Sequence, residues 1–179
     1  MLSENDRKAI LELIHRQVVP AIGCTEPIAV ALCAAKANEL LGCTPERIDV
    51  RLSANVLKNA MGVGIPGTGM IGLPIAIALG VLIGDSEKQL EVLKGCTPES
   101  VKLGKQMIAE NRIDIKLETE DTNKLFINIT CTSGNEMAEA RIKGSHTNFV
   151  FLRKNSEVLL DRAACSAEAV AKTDVELSM

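Results

Sequence analysis

The hydrophobic pattern of the chain changes near residue 111, from helical spacing to the alternation that is typical of strands. Before that point the sequence predicts helices over 4–18, 26–41, 73–83, 86–94 and 98–110, and one strand over 47–52. After it, strands are predicted over 112–118, 124–130, 137–142 and 148–153, with a weaker one over 158–160. We therefore expect an α+β fold: a helical N-terminal half with a glycine-rich loop, followed by a mostly antiparallel sheet of about four to five strands.

Length and composition limit the class of protein. A chain of 179 residues with 46% hydrophobic residues is long enough to bury a sizeable core. Its net charge of -3 and its three aromatic residues, all Phe, argue against nucleic acid as a partner. The sequence shows no signal-type run and no membrane span, so we expect a cytoplasmic protein with reduced cysteines. Residues 1–165 are expected to form one domain and 166–179 a tail.

The tripeptide Gly-Cys-Thr occurs three times, at 23–25, 42–44 and 95–97. In the second and third copies Pro and Glu follow, and this pattern predicts a helix that begins with Thr as its N-cap. The first copy precedes a helix that is expected to be buried, again with Thr25 as N-cap. A Cys24 thiolate at that position would be stabilised by the helix dipole and by free backbone N–H groups. The other five cysteines are expected to be core or surface residues.

The segment 53–72 contains five glycines and one proline, and Lys58 is its only charged residue. Backbone N–H groups around Gly67, Thr68 and Gly69 could hold an anion, or the glycines could simply form a tight turn between packed elements. Asn55, Lys58 and Asn59 add two amides and one ammonium group. Together these residues suggest a site for a small carboxylate, whereas the alternative is a lysine that extends to solvent.

His146 lies between two predicted strands, in the sequence Gly144-Ser145-His146-Thr147-Asn148. A histidine beside small hydroxyl residues is suited to proton transfer or to hydrogen bonding of a substrate, and the alternative is a histidine that caps a turn. The sequence has no closely spaced Cys or His pair of the kind that forms a self-contained zinc or iron–sulfur site.

Three stretches together resemble the L-cysteine desulfidase family, which is related to the α chain of bacterial iron–sulfur L-serine dehydratases. They are residues 20–29 (PAIGCTEPIA), 55–69 (NVLKNAMGVGIPGTG) and 144–148 (GSHTN). The resemblance implies a lyase of amino-acid degradation that carries out α,β-elimination. Its products would be pyruvate and ammonia, with hydrogen sulfide when L-cysteine rather than L-serine is the substrate. It also implies a [4Fe-4S] cluster that is held by three cysteines and has one open iron.

The resemblance assigns roles to individual residues. Cys24 matches the N-terminal cluster cysteine. Lys58 with Asn55, Asn59 and the glycine loop (Gly67, Thr68, Gly69) would hold the substrate carboxylate. His146, with Thr147 and Asn148, would transfer a proton or orient the substrate.

Members of that family are longer, and their other two cluster cysteines lie in a C-terminal portion that this chain lacks. We therefore expect an N-terminal portion that is inactive and holds no cluster by itself, with a separate C-terminal chain or a second copy as its partner. A non-catalytic module that binds a small carboxylate or assembles with another chain is the alternative. A pyridoxal-phosphate β-eliminase with Lys58 as the Schiff base is a further one.

Overall fold

The structure is a computed structural model that describes residues 4–17, 20–21 and 23–162. Contacts divide the chain into two compact units, Met1–Pro20 with Ala164–Met179, and Ala21–Ala163. In the first unit, helix α1 spans Glu4–Gln17, close to the predicted range, with Glu4 and Asp6 in its first turn. The predicted tail over 166–179 and Cys165 lie outside the described residues.

The second unit confirms the α+β fold, with helices first and a mostly antiparallel sheet after them. Its helices are α2 (Thr25–Leu41), α3 (Ala54–Ala60), α4 (Leu73–Ile83) and α5 (Pro98–Ala109), with a 3-10 helix over Ser86–Glu91. Its strands are β1 (Arg47–Leu52), β2 (Gly64–Ile65), β3 (Met70–Ile71), β4 (Ile113–Leu117), β5 (Phe126–Ser133), β6 (Glu136–Lys143), β7 (Phe149–Lys154) and β8 (Glu157–Asp161).

The main sheet has six strands in the order β4-β1-β5-β6-β7-β8, which is more than the four to five expected. The additional strand is β1, which enters the sheet between β4 and β5. It pairs in parallel with β4 and antiparallel with β5. Alternation along β1 buries Ile48, Val50 and Leu52 on one face, so that this face forms the core.

Helix α2 covers the core face of the sheet, and α4 packs against α2. Eleven residues of α2 are buried, which confirms that a helix with almost no charged residues packs on most of its sides. The two helices approach closely at Gly80, where a Cβ atom would overlap the carbonyl oxygen of Ala31. This close approach is why α4 carries glycine at that position.

The segment 53–72 is more ordered than the loop predicted from its glycines. It contains helix α3 and a two-stranded hairpin, β2–β3, in which Gly64 pairs with Ile71 and Ile65 with Met70. Both elements were missed because they are too short to show a hydrophobic period. In the described part of the chain, no helix has the length and apolar character needed to cross a bilayer.

The corner between β1 and α3 is fixed by Ser53. The Ser53 hydroxyl donates to the carbonyl of Lys124 at 2.8 Å and accepts from the N–H of Phe126 at 3.3 Å. The Ser53 N–H in turn donates to the carbonyl of Phe126 at 3.0 Å. These bonds hold the start of α3 at the end of the sheet where β1 stops and β5 begins.

Candidate functional site

The first turn of α2 gathers a thiol, a hydroxyl, a carboxylate and an amide. Cys24 is the N-cap residue, one position before the predicted cap Thr25. One carboxylate oxygen of Glu26 accepts from the Cys24 thiol at 3.1 Å and from the Thr25 hydroxyl at 3.2 Å. The other accepts from the Asn59 side-chain amide at 3.3 Å, and this bond ties α2 to α3.

The charge of Glu26 opposes a thiolate at Cys24. Partial burial of the thiol, and then its hydrogen bond to Glu26, raise the pKa of Cys24. The same hydrogen bond is the main cause that holds the pKa of Glu26 below its usual range. Cys24 is therefore a neutral thiol beside an ionised carboxylate rather than a thiolate stabilised by the helix dipole, because burial and the hydrogen bond to Glu26 favour the protonated thiol.

The glycine loop forms a hairpin whose tip is residues 66–69. The Thr68 side chain closes this turn: its hydroxyl donates to the Ile65 carbonyl at 2.7 Å and accepts from the Met70 N–H at 2.9 Å. Gly67 and Gly69 have φ angles of 77° and 63°, which favour glycine. Within the described residues, their two N–H groups donate no hydrogen bond. The segment is thus a tight turn that also leaves two donors free.

The hairpin tip lies between the first and third Gly-Cys-Thr segments. A Cβ atom on Gly23 would come within 2.9 Å of the Pro66 side chain, and one on Gly67 would lie 3.6 Å from the Cys96 sulfur. Cys96 is half-buried, and the Ser100 hydroxyl is 3.9 Å from its sulfur. The sequence interpretation assigned Cys96 no role, although the repeated tripeptide was a signal that could have singled it out.

The three polar residues on α3 have different environments. All three are exposed, and Asn59 reaches Glu26. Among the described residues, the Lys58 ammonium group makes no hydrogen bond and no ion pair. The structure therefore joins Asn59 to Glu26, which also accepts from Cys24, and leaves the lysine free to meet an anion.

His146 lies in the turn between β6 and β7. The Asn148 side chain donates to the Lys143 carbonyl at 2.9 Å, and the Gly144 N–H donates to the Leu125 carbonyl at 3.0 Å. The Nε2 atom of His146 is buried and has no hydrogen-bond partner in the part of the chain that is described. Buried polar atoms are rarely left unpaired, so His146 is available for a further contact.

The His146 turn and the start of α3 lie at the same end of the sheet, because Leu52, Ile127 and Ile142 are neighbours across β1, β5 and β6. No hydrogen bond between described residues joins His146 or Thr147 to Cys24 or Lys58. Hydrogen bonds and close approaches thus join Cys24, Asn59 and the hairpin tip, and no hydrogen bond between described residues links the His146 turn to them.

The donors needed for a cluster do not come together in the described residues. No group of three or more His, Cys, Asp or Glu side chains there could hold a metal ion. Cys33 and Cys131 are buried in the core, and Cys43 is exposed after α2. The described residues do not fit a site with three thiolate ligands, so no chemical step is derived through a cluster.

Comparison with known proteins shows similarity to a group of bacterial sequences named UPF0597 protein. The chain is 60% identical over 178 residues to the UPF0597 protein of Bacteroides fragilis, 58% over 176 residues to that of Bacteroides thetaiotaomicron and 43% over 182 residues to that of Porphyromonas gingivalis. These alignments cover 98% to 99% of this chain and 41% to 42% of each relative, so the chain spans about two fifths of their length. No family model and no solved structure matches.

These relatives correct the identification made from the sequence. The chain was identified as the N-terminal portion of an L-cysteine desulfidase family member, and that identification is wrong. The proteins that match nearly the whole chain are full-length proteins named UPF0597, and that name states no lyase activity.

Proposed function

We propose that this chain provides the substrate-carboxylate site of an α,β-eliminating lyase that acts on a small amino acid, L-cysteine or L-serine. The proposal rests on backbone N–H groups that have no acceptor and lie near the ionised carboxylate of Glu26. The free N–H groups of Gly67 and Gly69 lie at the hairpin tip, which touches the Gly23–Cys24 segment, and Glu26 lies in the adjoining turn of α2.

The charges at this site match the two ends of an amino acid. A carboxylate would accept from the N–H groups at the hairpin tip and from the Lys58 ammonium group. A carboxylate side chain has about four acceptor positions, and Glu26 uses three of them on Cys24, Thr25 and Asn59. The fourth is available for the ammonium group of the substrate.

The elimination needs more than these residues. The buried and unpaired Nε2 of His146 supports its role in proton transfer, with Thr147 beside it and Asn148 closing the turn. The remaining groups, including a [4Fe-4S] cluster with Cys24 as one ligand, would come from a separate chain or a second copy. We expect the reaction to take place in the cytoplasm, where cysteines stay reduced.

Calorimetry with L-serine, together with a pyruvate assay, tests the proposal. The chain should bind L-serine, and Lys58→Ala should weaken this binding about tenfold because a charge-assisted contact is lost. Lys102→Ala, which removes an exposed lysine on α5, is the matched control and should bind as the unaltered chain does. Equal binding by the two variants would contradict the assignment of Lys58.

The alternative is a non-catalytic module that binds a small carboxylate or assembles with another chain. It needs only the free donors of the hairpin tip and of Lys58 and the remaining acceptor position of Glu26. Pyruvate formation in anaerobic mixtures that contain the complete relative from Bacteroides fragilis would support the lyase. Binding of L-serine without any pyruvate would support the module instead.

Anaerobic reconstitution of this chain alone should incorporate no stable cluster, and a full complement of iron and sulfide would contradict that expectation.

A further inference from the structure

The face of the sheet opposite α2 holds an open pocket of about 460 Å³ that the proposed function does not use. Strand register places Arg51, Asn128, Arg141 and Phe151 in one row across β1, β5, β6 and β7. Side chains alternate between the two faces of a strand, so this row points away from the hydrophobic core.

Arg141 is held in a fixed orientation at the floor of the pocket. Its guanidinium carbon is 5.6 Å from the centroid of the Phe126 ring and 5.1 Å from that of Phe151. Its Nε donates to the Asn128 side chain at 2.8 Å, and one terminal nitrogen donates to Glu139 at 3.1 Å. Two of the three aromatic residues in the chain thus contact one arginine, whose other terminal nitrogen is pre-organised for an acceptor.

Two other arginines at this floor have donors without acceptors. Arg153 donates to Glu139 at 2.6 Å through a terminal nitrogen, but its Nε is buried and unpaired among the described residues. The carboxylate nearest Arg51 is Glu118, at 3.9 Å, which is too long for a hydrogen bond. A buried donor without an acceptor is costly, as at Nε of Arg153, and the Arg51 guanidinium group is exposed, so the floor of the pocket favours a ligand that brings a carboxylate.

The wall of the pocket carries the opposite charge. Glu118, Glu120 and Asp121 come from the segment between β4 and β5. Backbone N–H groups of that segment, first that of Glu120, hold the pKa of Glu118 below its usual range. Asp121 pairs with Lys143 at 2.7 Å, whereas the Glu120 carboxylate makes no hydrogen bond and no ion pair with another described side chain.

The balance of charge selects between classes of ligand. Three guanidinium groups line the pocket with four carboxylates, those of the wall and of Glu139. Because Lys143 neutralises Asp121, the remaining three guanidinium groups and three carboxylates balance, and a ligand that carries only a negative charge would leave Glu120 without a partner. One that carries both an ammonium group and a carboxylate would satisfy the wall and the floor together.

We propose that this pocket binds a small zwitterion the size of a dipeptide, with its carboxylate on the arginine floor and its ammonium group at Glu120. The volume is in the range of sites for ligands larger than a single small amino acid. The pocket lies on the face of the sheet opposite α2 and its first turn, so this proposal stands independently of the function proposed above.

Calorimetry with glycylglycine tests the proposal. The unaltered chain should bind it, and both N-acetylglycylglycine, which lacks the ammonium group, and glycylglycine amide, which lacks the carboxylate, should bind about tenfold more weakly. Failure of the unaltered chain to bind glycylglycine, or equal binding of the three peptides, would overturn the proposal.

Two variants at exposed positions assign the ends of the ligand. Arg51→Gln should weaken glycylglycine about tenfold and leave the amide unaffected, and Glu120→Gln should weaken glycylglycine similarly and leave the acetylated peptide unaffected. Lys102→Gln and Glu99→Gln change the same charges on α5 and should bind as the unaltered chain does. Binding by Arg51→Gln and Glu120→Gln equal to that of these controls would also overturn the proposal.

Discussion

Replacing Glu26 with Gln should make Cys24 more reactive. The thiol donates to the Glu26 carboxylate at 3.1 Å, and that negative charge contributes to raising the pKa of Cys24. Glutamine keeps an oxygen that can accept the hydrogen bond, but it removes the charge. The variant therefore separates the electrostatic effect of Glu26 from its role as a hydrogen-bond acceptor.

The expected change follows from the distance. A unit charge 3.1 Å from a forming thiolate costs about 1.3 kcal/mol when the medium screens as well as water does, which corresponds to about a tenfold change in an equilibrium constant. The thiolate fraction at neutral pH should therefore rise about tenfold. A less basic thiolate is also a weaker nucleophile, and this offsets roughly half of the gain on a logarithmic scale, so alkylation should become about threefold faster.

Alkylation of the native chain by iodoacetamide at pH 7, followed by peptide mass spectrometry, measures this rate for each cysteine. Cys43 is exposed and serves as the internal reference. Glu99→Gln is the matched control, because Glu99 also lies in the first turn of a helix that follows a Gly-Cys-Thr segment. An unchanged or slower rate at Cys24 in the Glu26 variant would refute the electrostatic reasoning.

Two further predictions concern packing and the β1–α3 corner. Gly80→Ala places a methyl group against the Ala31 carbonyl and should lower the free energy of unfolding by roughly 1 to 3 kcal/mol in urea titrations, whereas Gly95→Ala, where no atom lies within 4 Å, should change it by less than about 0.5 kcal/mol. Equal stabilities of these two variants would contradict the close approach of α2 and α4. Ser53→Ala removes the hydroxyl that joins α3 to β5 and should cost about 1 to 2 kcal/mol by the same measurement. Ser145→Ala, in the exposed part of the His146 turn, is its control, and a loss of similar size there would count against a specific role for Ser53.

Structural features that depend on one short segment of the sequence were predicted well. Helix α5 begins as its sequence indicates: Thr97 and Ser100 form reciprocal hydrogen bonds between side chain and backbone, and Pro98 opens the helix. Strands β5 to β7 follow from their alternation, because one face of each packs on the core. These features depend on residues within a few positions of one another.

Features that depend on distant partners were not predictable in the same way. Alternation shows which side chains of β1 are buried but not that the strand enters between β4 and β5.

The second Gly-Cys-Thr copy was predicted to start a helix, and this prediction is wrong. Gly42 ends α2 with a φ of 82°, and residues 44–46 lead into β1. The Pro45 carbonyl there accepts from the Arg112 side chain at 3.1 Å, a contact between residues far apart in sequence.

The three Gly-Cys-Thr copies differ in their positions in the fold and in the residue that follows Thr. The second copy lies at the end of α2, whereas the first and third copies lie against Pro66 and Gly67 at the hairpin tip. Only the first copy continues with Glu at the next position, which places a carboxylate beside its thiol. In the third copy Pro98 takes that place and Glu99 follows it, while Ser100 closes the helix start. Exchanging Glu and Pro between these two copies would therefore move the carboxylate from one side of the hairpin tip to the other.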